Sequence, residues 1–96
     1  MSAYLIFIRD RLRDEAAMAE YGALAQASTA GHPLEPLVFY GAVETLEGAE
    51  ADGVVVIRFA DKAAAMAWYE SPDYTNARKF RNLGADYRVM VVEGMA

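Results

Sequence analysis

Three short runs in this chain, Ala3–Ile8 (Ala-Tyr-Leu-Ile-Phe-Ile), Val54–Phe59 (Val-Val-Val-Ile-Arg-Phe) and Tyr87–Glu93 (Tyr-Arg-Val-Met-Val-Val-Glu), are rich in β-branched and aromatic residues and carry apolar side chains at odd and even positions alike. Such residues suit strands, and along a strand successive side chains leave from opposite faces. Leu5 and Phe7 therefore oppose Tyr4, Ile6 and Ile8. Val55, Ile57 and Phe59 oppose Val54 and Val56, and Val89 and Val91 oppose Met90 and Val92. An antiparallel sheet with one wet face alternates apolar with polar residues. These runs do not, so both faces of the sheet they build must be kept from water. At 96 residues the chain has material for one domain, spanning residues 1–96, and for one layer of helices. It can cover only one of the two faces.

The intervening segments supply that layer. Asp14 is an N-cap, and Met18, Tyr21, Ala25 and Ser28 follow at three- and four-residue spacing along an Ala-rich helix. Gly22 inside it costs up to about 1 kcal/mol relative to Ala, so either something packs closely there or the loss is tolerated. The helix is expected to end near Ala30-Gly31, with Pro33 and Pro36 preventing its resumption. Leu37–Leu46 reads as a second extended segment, and Pro36 with a central Gly41 suits an edge strand. Glu47–Gly53 is an acidic turn. Asp61 caps a short helix over Lys62–Glu70, and Ser71-Pro72-Asp73 starts another that runs to about Gly84. The order β, α, β, β, α, α, β is the split βαβ pattern of ferredoxin-like folds. It predicts an α+β protein whose four-stranded antiparallel sheet carries helices on one face, with strands one and three central.

Nine Lys and Arg against 14 Asp and Glu leave a net charge of −5, which argues against nucleic acid as a partner. With no Cys there is no disulfide, thiol nucleophile or thiolate metal site. A short chain without staples relies on packing or on oligomerisation, and a large apolar face on such a chain marks an interface. The expectation is a homodimer in which two sheets pack face to face. The apolar run at Ala3–Ile8 follows no basic segment, and no stretch approaches the roughly 20 apolar residues of a spanning helix. No membrane association and a cytoplasmic location are therefore expected.

The run Ala64-Ala65-Met66-Ala67-Trp68-Tyr69-Glu70-Ser71-Pro72-Asp73-Tyr74, followed by Arg78 and Arg81, resembles the signature of the domain of unknown function 1330 family. Ala3-Tyr4, Glu20-Tyr21, Gly41-Ala42-Val43-Glu44, Leu46-Glu47-Gly48 and Val92-Glu93-Gly94 are similar to it as well, so the likeness extends over nearly the whole chain. The resemblance implies a dimeric α+β barrel. That superfamily also contains small monooxygenases, muconolactone isomerase and ligand-sensing regulator domains, and the resemblance implies no single one of these activities. Two positions depart from the family pattern. Phe39-Tyr40-Gly41 stands where many members have a Gly-Gly pair near a basic residue, and Arg58 stands where an acidic residue often precedes the strand-three Phe.

Tyr74, Arg78 and Arg81 sit at i, i+4 and i+7 and share a helical stripe beside Ala77 and Phe80. Two guanidiniums and a phenol suit a carboxylate or enolate oxygen. The bland alternative, favoured for the arginines, has both pairing with surface carboxylates while Tyr74 packs in the core. Trp68 and Tyr69 read as core or dimer packing, with ligand stacking as the alternative. Tyr40 and Glu44 share a strand face by their even spacing, and Arg58 on the neighbouring strand is placed to pair with Glu44 in the barrel interior. That pair reads equally as a structural device and as a polar spot in an apolar pocket. His32, the only histidine, lies in a Gly-His-Pro loop and reads as solvated rather than as a general base. One imidazole and an acidic turn without an EF-hand pattern make no metal site, and no phosphate loop, nucleophile elbow or dinucleotide fingerprint is present. No metal and no cofactor are expected.

These readings lead to a homodimeric barrel whose apolar pocket, between sheet and helices, binds a small hydrophobic or aromatic metabolite and transforms it, if at all, without a metal. The ligand-binding candidates are Tyr40, Glu44, Arg58, Trp68, Tyr74, Arg78 and Arg81. A non-catalytic dimerisation or accessory module is the alternative. A cofactor-free monooxygenase or isomerase is a further one, by superfamily analogy, and whether the protein is an enzyme stays open.

Overall fold

In the computed structural model, which describes residues Met1–Ala96, the chain forms strand β1 (Ala3–Leu12), helix α1 (Glu15–Ala27), strands β2 (Glu35–Phe39) and β3 (Gly53–Phe59), helices α2 (Lys62–Tyr69) and α3 (Pro72–Gly84), and strand β4 (Ala85–Glu93). Each helix starts where a side chain satisfies a free backbone N–H. Asp14 accepts from the amides of Ala16 and Ala17, Asp61 from Ala64, and Ser71 from Tyr74 ahead of Pro72 in the first turn.

The sheet order is β2-β3-β1-β4, with every pair antiparallel and β1 and β3 in the centre. Leu5 stands opposite Ile57 and Val91, and Phe7 opposite Val55 and Val89. This row faces the helices and joins Trp68, Tyr74 and Ala77 in the core. Ile6 stands opposite Val56 and Met90 on the other face. The molecule measures 33 × 32 × 17 Å, the short dimension being one sheet and one layer of helices. Nothing in the chain covers the far face, where Met90 and Val92 remain 45% and 47% exposed. The total accessible surface, 6035 Å², exceeds the roughly 5,400 Å² typical of a monomer of this mass.

β3 and β4 begin one and two residues earlier than the sequence reading and α2 ends one earlier, while β1, β2 and α1 differ in ways that shape the site. β1 does not stop at Ile8: Arg9 pairs with Gly53 and Tyr87, and the strand reaches Leu12 past an irregularity between Arg9 and Arg11. β2 is not Leu37–Leu46 but Glu35–Phe39, because Tyr40 takes a left-handed conformation, φ 53°, that turns the chain out of the sheet. It is an edge strand as expected, with its irregularity between Pro36 and Val38 rather than at Gly41. α1 ends at Ala27, and a turn then carries the chain to Gly31, whose φ of 78° is the left-handed conformation glycine supplies. Gly84, at the expected end of the helix, permits close approach of α3 to α1. A Cβ there would lie 2.7 Å from Met18 Cγ and 3.1 Å from its backbone nitrogen.

Candidate functional site

A cavity of about 530 Å³ lies between α1 and the β1, β2 and β3 half of the sheet. Phe7, Val55 and Ile57 form its sheet wall, Met18 and Tyr21 its α1 wall, and Trp68 closes it from α2. The indole is fixed from behind, its Nε1 donating to Ser28 Oγ at 3.1 Å. Gly22 also lines the space, and a Cβ at that position would meet no atom within 4 Å. Close packing against this glycine is overturned: nothing lies against it, and the missing side chain leaves room.

The polar groups at this end of the core are phenols and guanidiniums. Arg81, 7% exposed, donates from its Nη1 to the Tyr74 hydroxyl at 3.2 Å, and Tyr74 Oη lies 2.7 Å from Tyr21 Oη. The guanidinium carbon stands 5.4 Å from the Tyr87 ring centroid and 6.0 Å from that of Phe7, distances at which aromatic faces attract a cation. No carboxylate pairs with Arg81, and its Nε is buried without a partner. Burial opposes its charge, but the phenol oxygens of Tyr74 and Tyr69 outweigh that effect and hold the guanidinium protonated. Burial pushes Tyr21 well above the ordinary phenol range, with the proximity of Tyr74 adding to the shift, and burial raises Tyr74 as well. A second cluster forms the rim. Arg9 lines the cavity, holds Asp52 through Nε and Nη2 at 3.1 and 3.2 Å, and lies 4.9 Å from the Tyr40 ring centroid. Tyr40 Oη meets Tyr87 Oη at 2.5 Å, and burial raises Tyr87 as well.

Of the seven residues singled out from sequence, Tyr40 and Trp68 line the cavity. Tyr74 and Arg81 stand behind its wall and reach it through Tyr21. Arg78 lies close by, its guanidinium 4.5 Å from the Tyr69 ring centroid and its Nε also unpartnered. Surface pairing of Arg78 and Arg81 is overturned: the ion pairs belong to Arg9 with Asp52, Arg13 with Asp86, Arg58 with Glu35 and Arg88 with Asp10. Glu44 and Arg58 are not brought to the cavity. Glu44 is exposed in the irregular segment after Tyr40, so it shares no strand face with that residue. Arg58 stands opposite Tyr4 and Glu35, 3.5 Å from the Glu35 carboxylate, and donates to Ser2 Oγ. The expected Glu44–Arg58 pair is therefore replaced by Glu35–Arg58. His32 follows α1 and does not line the cavity. Tyr21, Arg9 and Tyr87 went unassigned in the sequence, although Arg9 continues the Leu5–Phe7 row and Tyr87 the Val89–Val91 row.

Sheet order, register and one-sided helices define a ferredoxin-like α+β protein. The sequence matches the family described as "Domain of unknown function (DUF1330)" over residues 2–95, and the chain belongs to that family. Solved structures share the fold at low identity. A protein of unknown function from Rhodopseudomonas palustris has a TM-score of 0.79 at 18% identity, over 99% of this chain and 83% of that one. A dimeric ferredoxin-like protein of unknown function from Jannaschia sp. has a TM-score of 0.67 at 17% identity, over 98% and 100% of the two chains. SnoaB, a cofactor-independent oxygenase from Streptomyces nogalater, has a TM-score of 0.62 at 10% identity, over 99% and 93%. No curated protein matches the sequence.

Proposed function

We propose that the protein is a homodimer whose protomers each bind one small, mainly apolar or aromatic molecule in the cavity between α1 and the sheet. The observation that carries the reading is the cavity itself: about 530 Å³ walled by Phe7, Val55, Ile57 and Trp68, with a glycine where a helix would ordinarily present a side chain. Ligand pockets are built this way, as apolar walls with a few convergent polar groups. A module serving only to dimerise gains nothing from leaving this space unfilled. Dimerisation is supported separately by the uncovered apolar face around Ile6, Val56 and Met90, and by the dimeric description of the Jannaschia protein. The Streptomyces oxygenase bears on chemistry here by analogy of fold alone.

Thermal unfolding against a panel of one- and two-ring aromatic compounds, with 1-naphthol and 1-naphthoate among them, tests this reading. Binding to the native state raises the midpoint in proportion to the logarithm of ligand concentration. Gly22→Leu places a side chain in the open space and restores about 0.8 kcal/mol of helix propensity. It is expected to raise the ligand-free midpoint and abolish the response. A panel without effect, or an undiminished response in Gly22→Leu, refutes the assignment.

A further inference from the structure

Of the two directions open to the phenol–phenol bond in the Arg81–Tyr74–Tyr21 chain, one leaves no fully buried hydroxyl hydrogen unmet. A guanidinium has donors and no acceptor, so at the first link Arg81 donates and the Tyr74 oxygen accepts. Tyr74 is fully buried, and its hydroxyl has a single further partner, Tyr21. A buried hydroxyl hydrogen finds an acceptor wherever one is in reach, so Tyr74 donates to Tyr21. The Tyr21 oxygen is thereby the acceptor at the second link, and its own hydrogen has no acceptor in the protein, Tyr74 being its sole hydrogen-bond partner. Tyr21 is a wall residue of the cavity.

We infer that Tyr21 offers the cavity a hydrogen-bond donor polarised by the buried Arg81, and that the bound molecule is an aromatic compound bearing an acceptor oxygen of the carbonyl class. This rests on the cavity being a ligand site and adds the chemistry of the ligand. Bonds arranged head to tail strengthen one another, and here the chain begins at a full positive charge with no carboxylate to neutralise it. An acceptor oxygen at Tyr21 therefore experiences more than an ordinary phenol. A compound without such an oxygen leaves that buried donor unmet, which is what makes hydrogen-bonding sites discriminate. Arg81 and Tyr74 are positioning residues: they set the direction of the Tyr21 hydrogen without touching the ligand.

The probes are a pair matched in shape, 1-tetralone and tetralin, which differ by one carbonyl oxygen. Calorimetric titration of the wild type is expected to give at least about tenfold tighter binding of 1-tetralone, the ratio an added hydrogen bond of about 1.4 kcal/mol confers. In Tyr21→Phe the ratio falls to within about twofold of unity while tetralin affinity is kept. The carbonyl stretch of bound 1-tetralone, read by infrared difference spectroscopy on the wild type alone, is expected to lie below its frequency in hexane. Equal affinity for the two compounds, a ratio that survives Tyr21→Phe, or an unshifted stretch overturns the inference while leaving the apolar site intact. Failure of both compounds to bind overturns the site and the inference together.

Discussion

Removing one oxygen atom, in Tyr74→Phe, isolates the hub of the buried polar chain. The ring stays, and with it the packing against Trp68 at 4.1 Å between centroids and against Tyr69 at 5.4 Å. Two hydrogen bonds go. The one to Tyr21 is neutral and contributes about 1 kcal/mol, and the one from Arg81 has a charged donor and contributes about 2 kcal/mol. Arg81 already has its Nε unpartnered and no carboxylate nearby, so after the change its guanidinium is left with aromatic faces and the Tyr69 phenol. The expected loss is about 3 kcal/mol, which for a domain of this size lowers Tm by about 12 to 20 °C. Arg81→Met removes the charge along with its desolvation cost, so adding it to Tyr74→Phe is expected to be neutral or stabilising, although it is destabilising in the wild type. Urea unfolding of the four proteins at one fixed protomer concentration closes the cycle, and a coupling energy of about 2 kcal/mol is expected. A Tyr74→Phe loss below about 1 kcal/mol, or additive single changes, would refute the claim that Arg81 depends on this hydroxyl.

Two further predictions concern pH and assembly. Tyr21 and Tyr74 have folded-state pKa values raised, chiefly by burial, above the ordinary phenol value near 10. The unfolded chain therefore loses protons that the folded one keeps. Stability is full below about pH 10 and falls above it, chiefly through Tyr21 and the half-buried Tyr87, with Tyr74 acting in the same direction. Urea midpoints that stay flat between about pH 9 and pH 11 would contradict this. In Ile6→Asp a carboxylate enters the middle of the uncovered sheet face, opposite Val56 and Met90. Light scattering is expected to show dissociation to a folded monomer, since burying an unpaired charge in the interface costs on the order of 3 kcal/mol. A wild type that is itself monomeric at low micromolar concentration would overturn the dimer.

Most of the fold was legible because its signals are local or strictly periodic. Asp14, Asp61 and Ser71 act through backbone amides two or three residues away. The two-sided apolar strands follow from alternation alone. The second strand was misread because its end depends on contacts distant in sequence. A tyrosine at φ 53° is unfavourable in isolation. Here the ring of Tyr40 packs over Gly53, where a Cβ would lie 2.7 Å from Cδ1, and beneath the Arg9 guanidinium. Residue types near position 40 give no sign of either partner, so the segment reads as a strand running on to Leu46.

The site was legible in part, and the gap follows from how charge is ordinarily treated. Arg9 falls outside the apolar run Ala3–Ile8 because it is charged, although its odd position puts it in the row of Leu5 and Phe7. Arg81 reads from sequence as paired with a surface carboxylate because exposed ion pairs are common, and isolating a guanidinium from water costs several kcal/mol. In the folded chain that cost is offset by the phenol oxygens of Tyr74 and Tyr69 and the faces of Phe7 and Tyr87. A core selected for stability alone would hold apolar residues at positions 74 and 81 together, since replacing a buried polar cluster as a unit with well-packed hydrophobic atoms is commonly neutral or stabilising. Retaining a cation there makes physical sense if the charge acts on something the protein does not itself contain, and the tyrosines bonded in sequence to it lead to a wall that borders an open apolar space.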